Sequence, residues 1–197
     1  MSIKLYDEAI LTKFKGVFKN TVYAPTDEAF ARCAELNEGK VLLPLISIYR
    51  PEFMTIDNTN LNKPAFFQGR PFEVSEKDLE GQPLKIKNLR TLAVTLRYQA
   101  DVWGKKEEEY LRLTEELLFW LIANPYVKIT EPLSGKELEF SIILEDNIMD
   151  NTDITGFQER GRLYRCTFEF EISHAQLFSL SEIDNLVASI EITEEFI

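Results

Sequence analysis

The chain has 197 residues, of which 45% are hydrophobic and 28% charged, proportions of a globular protein and not of a disordered one. A chain of this length buries roughly 70% of the surface its unfolded form exposes, so a single domain over residues 1–197 needs no metal or disulfide staple. Its 33 acids against 22 bases leave a formal net charge of −11, which argues against a general nucleic-acid binder, whose affinity comes mostly from neutralising phosphates.

The two cysteines, Cys33 and Cys166, fall in a helix-like and a strand-like run and read as buried free thiols. Asp7 and Glu8 interrupt the N-terminal stretch where a signal peptide needs apolar residues. No run approaches the roughly 18 apolar residues that cross a bilayer. The expectation is therefore a soluble protein, made and kept in the cytoplasm of its cell or host.

Taken in chain order, residues 2–19 predict an amphipathic helix. Ile3, Tyr6, Ile10, Phe14 and Val17 form its apolar stripe, and Ser2 is the candidate N-cap. A second helix is expected from Thr26 to about Leu36, with Thr26 as N-cap and Asp27 and Glu28 in the first turn. Gly39 suits the left-handed position that ends it. Residues 41–50 predict a strand that begins after Pro44 or lies on an edge, since proline cannot donate to a ladder.

From 51 to 89 the periodicity weakens and loop signals recur at 58–60, 62–64 and 80–83. Such a long excursion in a compact domain is usually functional, and here it reads as an arm reaching a neighbour. Residues 91–103 predict the clearest strand. Leu92, Val94, Leu96, Tyr98 and Val102 fall on one face, and Thr91, Thr95, Arg97, Gln99 and Asp101 on the other. A helix over 105–123 follows, striped by Tyr110, Leu113, Leu117, Leu118, Trp120 and Leu121.

Strands are then expected at 126–130, 139–145 and 162–172, with a turn at 133–136 and a polar loop at 146–158. The last of these strands turns Tyr164, Cys166, Phe168, Phe170 and Ile172 inward. The tail, 187–197, reads as one more strand, at an edge or added to a neighbouring subunit. The order predicts an α+β domain, an antiparallel or mixed sheet with helices packed on one face and a long loop excursion.

Signals of catalysis are weak. A nucleophile needs a base, usually histidine, and the one histidine, His174, sits just after a predicted strand and reads as structural. Asp146, Asp150 and Asp153 lack the spacing and turn glycine of a calcium loop. Neither a phosphate-binding glycine loop nor a dinucleotide fingerprint is present. The runs Glu107–Glu109 and Glu194–Glu195 read as solvated faces. The expectation is a protein that is not an enzyme, holds no cofactor or metal, and acts by assembling with other proteins.

The run Leu92-Ala93-Val94-Thr95-Leu96-Arg97-Tyr98-Gln99-Ala100-Asp101-Val102-Trp103, followed by Glu107-Glu108-Glu109-Tyr110 and Glu115-Glu116-Leu117-Leu118-Phe119, resembles tail-terminator proteins of long-tailed bacteriophages. There a strand ending in Tyr-x-x-Asp-Val-aromatic runs into a helix bearing glutamates and leucines. The runs 44–50 and 159–168 are similar to strands of the same family, so the likeness covers mainly 41–50 and 89–175. The stretch 51–89 is a departure, since a minimal terminator has no need of it.

The resemblance implies a homo-oligomer, a six-subunit ring at the head-proximal end of the tail tube. The ring stops tube polymerisation and meets the head–tail connector protein. Its partners would be the tail tube protein, the connector protein and, in a contractile tail, the sheath protein. DNA would pass through without specific binding, repelled by an acidic lumen. Arg97, Asp101, Arg162 and Arg165 are the candidate interface residues, the arginines pairing with acids on an adjacent strand or subunit or forming isolated surface salt bridges. Two alternatives stand beside this reading. One is another neck or baseplate component of a phage or phage-like contractile tail, and the other is a binding module or an enzyme without a recognisable motif.

Overall fold

A computed structural model of the chain describes residues 3–34, 43–52, 54–56, 72–73, 88–89, 91–130, 137–152 and 163–178. Among these described residues, three helices and nine strands are ordered α1 (Ile3–Lys15), β1 (Thr21–Tyr23), α2 (Thr26–Ala34), β2 (Leu45–Tyr49), β3 (Thr55–Ile56), β4 (Phe72–Glu73), β5 (Asn88–Leu89), β6 (Thr91–Gly104), α3 (Glu107–Ala123), β7 (Tyr126–Thr130), β8 (Glu137–Asp150) and β9 (Tyr164–Phe178). The main sheet runs β1-β2-β6-β9-β8-β7, with β3 also beside β6. The pair β1–β2 is parallel and the other pairs are antiparallel. A separate two-stranded ladder joins β4 to β5. The class is α+β with a mixed sheet, as the order of elements predicts.

The core forms where the two strongest alternations meet. β6 pairs with β9 along almost its whole length. Val94, Leu96, Tyr98, Ala100 and Val102 of β6 and Cys166, Phe168, Phe170 and Ile172 of β9 are buried on the same face. Against that face α1 lays Tyr6, Ile10 and Phe14, one residue per turn, and α3 lays Tyr110, Leu117 and Leu121. Phe170 stacks on Tyr98 and Phe14, with ring centroids 5.3 and 5.7 Å away. Trp120 meets Phe14 and Phe18 edge-on at 5.5 Å each, and Lys13 Nζ lies 4.6 Å above its ring.

The ends of α3 follow their sequence. Glu107, Glu108 and Glu109 fill the first turn, where the helix dipole favours anions. Asn124 closes the last turn, its Nδ2 donating to the Trp120 carbonyl at 3.0 Å. Gly104 ends β6 because α3 crosses close to it, and a Cβ there would lie 2.5 Å from Cβ of Tyr110.

Several expectations are modified. The pair β1–β2 is parallel, which demands a crossover connection, and α2 supplies it. α1 and α3 share one face, whereas α2 covers part of the other, where Ala24, Ala29, Leu45 and Trp103 form a second small cluster. Thr26 is the first helical residue and not the N-cap. The Pro25 carbonyl accepts the first helical bond from Ala29 N–H, and the Thr26 hydroxyl turns to Asp101 instead.

β1 occupies 21–23, where a helix stop was expected. β8 continues to Asp150 through the stretch expected to be loop, because three residues, 145–147, bulge opposite one residue of β9 between the Leu144 and Ile148 pairings. β9 runs on through His174, which lies inside the strand and not after it. There Ser173 and His174 face the single residue Thr95 across a bulge, and His174 takes a left-handed φ of 58°. The expected end of the second helix at Leu36, Ser2, most of the 51–89 excursion, the turn at 133–136 and the tail strand at 187–197 lie outside the described residues.

Candidate functional site

The sheet face opposite the core is the polar one, and it carries the predicted interface residues. Arg97 and Asp101 stand on β6 and Arg165 on β9, paired with Trp103. Alternation places all three on this face. Arg162 lies outside the described residues. The three that are described differ in environment.

Arg97 is half-exposed. Its Nε lies 3.8 Å from Glu145 of β8 and 3.8 Å from Glu171 of β9. Both distances are long for a hydrogen bond, so this is a loose cross-strand ion pair within one subunit.

Asp101 is fully buried. Its Oδ1 accepts from Thr167 Oγ1 at 2.7 Å and Gln99 Nε2 at 3.0 Å. Its Oδ2 accepts from Thr26 Oγ1 at 2.7 Å. Tyr49 extends the network by donating to Gln99 Oε1 at 2.9 Å. Burying a carboxylate requires such partners. These three bonds tie α2, β6 and β9 together, so Asp101 anchors the subunit's interior and offers no group to a neighbour.

Arg165 lies over the Trp103 ring, its guanidinium carbon 5.3 Å from the ring centre. Trp103 is itself fixed by Nε1 donating to Ser47 Oγ at 2.9 Å. Phe30 of α2 meets the same indole at 6.2 Å. Together with Tyr49, Asp150 and Leu163 these residues line an open groove of about 880 Å³. Arg165 Nε is buried and has no hydrogen-bond partner among the described residues.

A second polar cluster closes the opposite, helix-bearing side. Asp7 of α1 receives Arg50 through Nε and Nη2, both at 3.3 Å, and the Tyr98 hydroxyl at 2.9 Å. Burial, reinforced by Asp7, pushes Tyr23 up to about 12. Burial foremost, with Asp7 again adding to it, raises Tyr98 well above the ordinary phenol range, and burial alone raises Tyr6. A folded-state value above the unfolded one gives stability that is complete below about pH 10 and is lost as pH rises toward 12 and beyond. Absorbance titration of the phenols should therefore show a late-ionising set, and unfolding free energy should decline from about pH 10 upward. Tyrosines that all ionise near pH 10 would contradict these placements.

Sequence reasoning found the polar face but missed its supports, the buried Ser47 and Thr167 and the half-buried Thr26. All three are small hydroxyl residues with no distinguishing spacing. Cys166 is a buried free thiol, as its run predicts, and burial raises its pKa. Among the described residues no three His, Cys, Asp or Glu side chains gather as a metal site, and no helix is long and apolar enough to cross a membrane. No family model matches the chain, and no curated protein shows significant similarity to it.

Beyond the polar face, α3 exposes apolar side chains. Phe119 is 73% exposed and Ile122 66%, with Tyr126 just after the helix at 56%. Positions 119 and 122 are one turn apart and neighbours on the helix surface, so the helix end presents an apolar patch to the outside.

Proposed function

We propose that the chain is a ring-forming structural subunit of a phage-type tail, of the tail-terminator kind. One observation carries the reading, the apolar patch of Phe119, Ile122 and Tyr126 left uncovered on a single subunit. Large apolar side chains exposed so near one another are the kind of surface that marks protein–protein contact. The likeness of 41–50 and 89–175 to tail terminators supplies the kind of assembly.

In that assembly six copies close a ring on the tail tube, halt its growth and receive the head–tail connector, with the sheath as a further neighbour in a contractile tail. The protein resides in the virion and is made in the host cytoplasm, and its role is structural, not enzymatic. The net charge of −11 fits a channel that repels passing DNA. Glu145, Glu169 and Glu171, on or beside the outer face, are candidates for its lining.

The groove at Arg165 favours a second reading, a binding module, since a concave site with an aromatic wall and a few charged groups, here Arg165, Asp27 and Asp150, is the form such sites take. Sedimentation mass over a range of concentrations separates the two. The ring reading expects a concentration-dependent rise to a defined oligomer, formed in free solution or on added polymerised tube. A monomer under both conditions sinks it.

A further inference from the structure

The main sheet has two ends. One is the short β1, and the other is β7, which pairs with β8 and with nothing else among the described residues. An unpaired edge presents a row of free N–H and C=O groups. The β7 edge is five residues long, regular in its pairing, and free of proline and bulge, and Lys128 is the single charged guard on it. Its burial alternates, with Val127 and Ile129 buried and Tyr126, Lys128 and Thr130 exposed. A groove of about 640 Å³ borders it, walled by Glu8, Ala9 and Thr12 of α1 on one side and Tyr126–Lys128 on the other. That space adjoins the first half of β7.

We infer that this edge receives the C-terminal segment of a second copy of the chain as an added strand. The segment's own pattern fits. Ala188, Ile190 and Ile192 alternate with Ser189, Glu191 and Thr193, the same apolar–polar alternation as β7. With the apolar set turned toward the α1 side, the polar set lies beside Tyr126, Lys128 and Thr130. Glu191 then stands next to Lys128, the one cation of the edge, which Glu137 at 2.7 Å and Glu139 at 3.4 Å already hold in place.

The nineteen residues beyond β9, 179–197, span up to about 65 Å when extended, enough to reach an adjacent subunit. The second-copy assignment rests on the ring reading. An edge on one subunit taking a strand from the next is a head-to-tail contact, the type that closes into a ring, and backbone bonds along the strand give it affinity.

The test uses two full-length chains in a Cys33→Ser background, one carrying Thr130→Cys and the other Ser189→Cys or Thr193→Cys. They are mixed and oxidised mildly. With Lys128 beside Glu191, an antiparallel strand brings 130 to 189 and a parallel one brings 130 to 193. The inference predicts a disulfide between the two different chains for one of these pairs. It also predicts loss of oligomer in Lys128→Glu and its recovery when Glu191→Lys is added. An oligomer that forms with neither disulfide overturns the strand addition and leaves the ring standing. A link that forms only when one chain carries both cysteines assigns the edge to that chain's own tail and overturns the second-copy occupant. A chain that stays monomeric, alone and with tube, overturns the ring and the inference together.

Discussion

Replacing Asp101 with alanine should lower the unfolding free energy by about 3 kcal/mol or more. The carboxylate is fully buried and accepts from Thr26, Gln99 and Thr167. Truncation leaves three donors facing a space, and two of them, on Thr167 and Gln99, lose the acceptor they share. Thr167 is itself buried, so water cannot readily substitute. Asp101→Asn should be milder, at about 1 kcal/mol. Its carbonyl can still serve Gln99 and Thr167, and the Thr26 hydroxyl can rotate to accept from the new amide. Urea unfolding measures both variants. A loss below about 0.5 kcal/mol for the alanine variant would mean that the network does not hold α2 to the sheet. The measurement also separates two roles for this residue. An anchor changes the stability of the single subunit, whereas an interface group changes assembly and leaves that stability alone.

Phe170→Ala should cost about 3–5 kcal/mol, with Phe170→Leu losing less because most of the volume remains. Phe170 is fully buried. It stacks on Tyr98 with an interplanar angle of 11° and on Phe14 with one of 22°, so one ring joins α1, β6 and β9. Its loss opens a cavity between a helix and a sheet, which cannot close without moving α1. Because Tyr98 also donates to Asp7 at 2.9 Å, the shift should reach the Asp7–Arg50 pair. For a domain of this size the melting temperature should fall by roughly 10 °C. A fall of only a degree or two would mean that the aromatic stack is not the centre of the core.

These two positions also show what was legible in the sequence. Phe170 belongs to the alternation of 164–172, and its burial follows from period two alone. The same rule placed Asp101 on the other face, which was correct, but its reading as an interface residue did not foresee that it is fully buried. Alternation tells which side a residue takes but not what covers that side. The cover is α2, whose sequence, TDEAFARCA, carries too few large apolar residues to announce a packed face. It holds its place through Ala29, Phe30 and the hydroxyl of Thr26.

The bulges in β8 and β9 were hidden for a related reason. Asp146 and Asn147 are polar turn formers, and a bulge lets them sit in a strand without taking part in the regular ladder. β1 escaped notice because three residues carry no measurable period. By contrast α1, α3 and β6 were readable because their patterns last long enough for a stripe or alternation to be counted. The candidate surface was less legible still. Phe119 and Ile122 look like any apolar residues of a helix, and their exposure follows from where α3 crosses the sheet.

The central claim is assembly into a closed ring, and electron microscopy of the largest species in a concentrated preparation tests it most directly. The account predicts annular particles with six-fold averages and an open centre, formed by the full chain alone or on the end of added tube. Compact particles without a central opening under both conditions, each the size of one subunit, would contradict it.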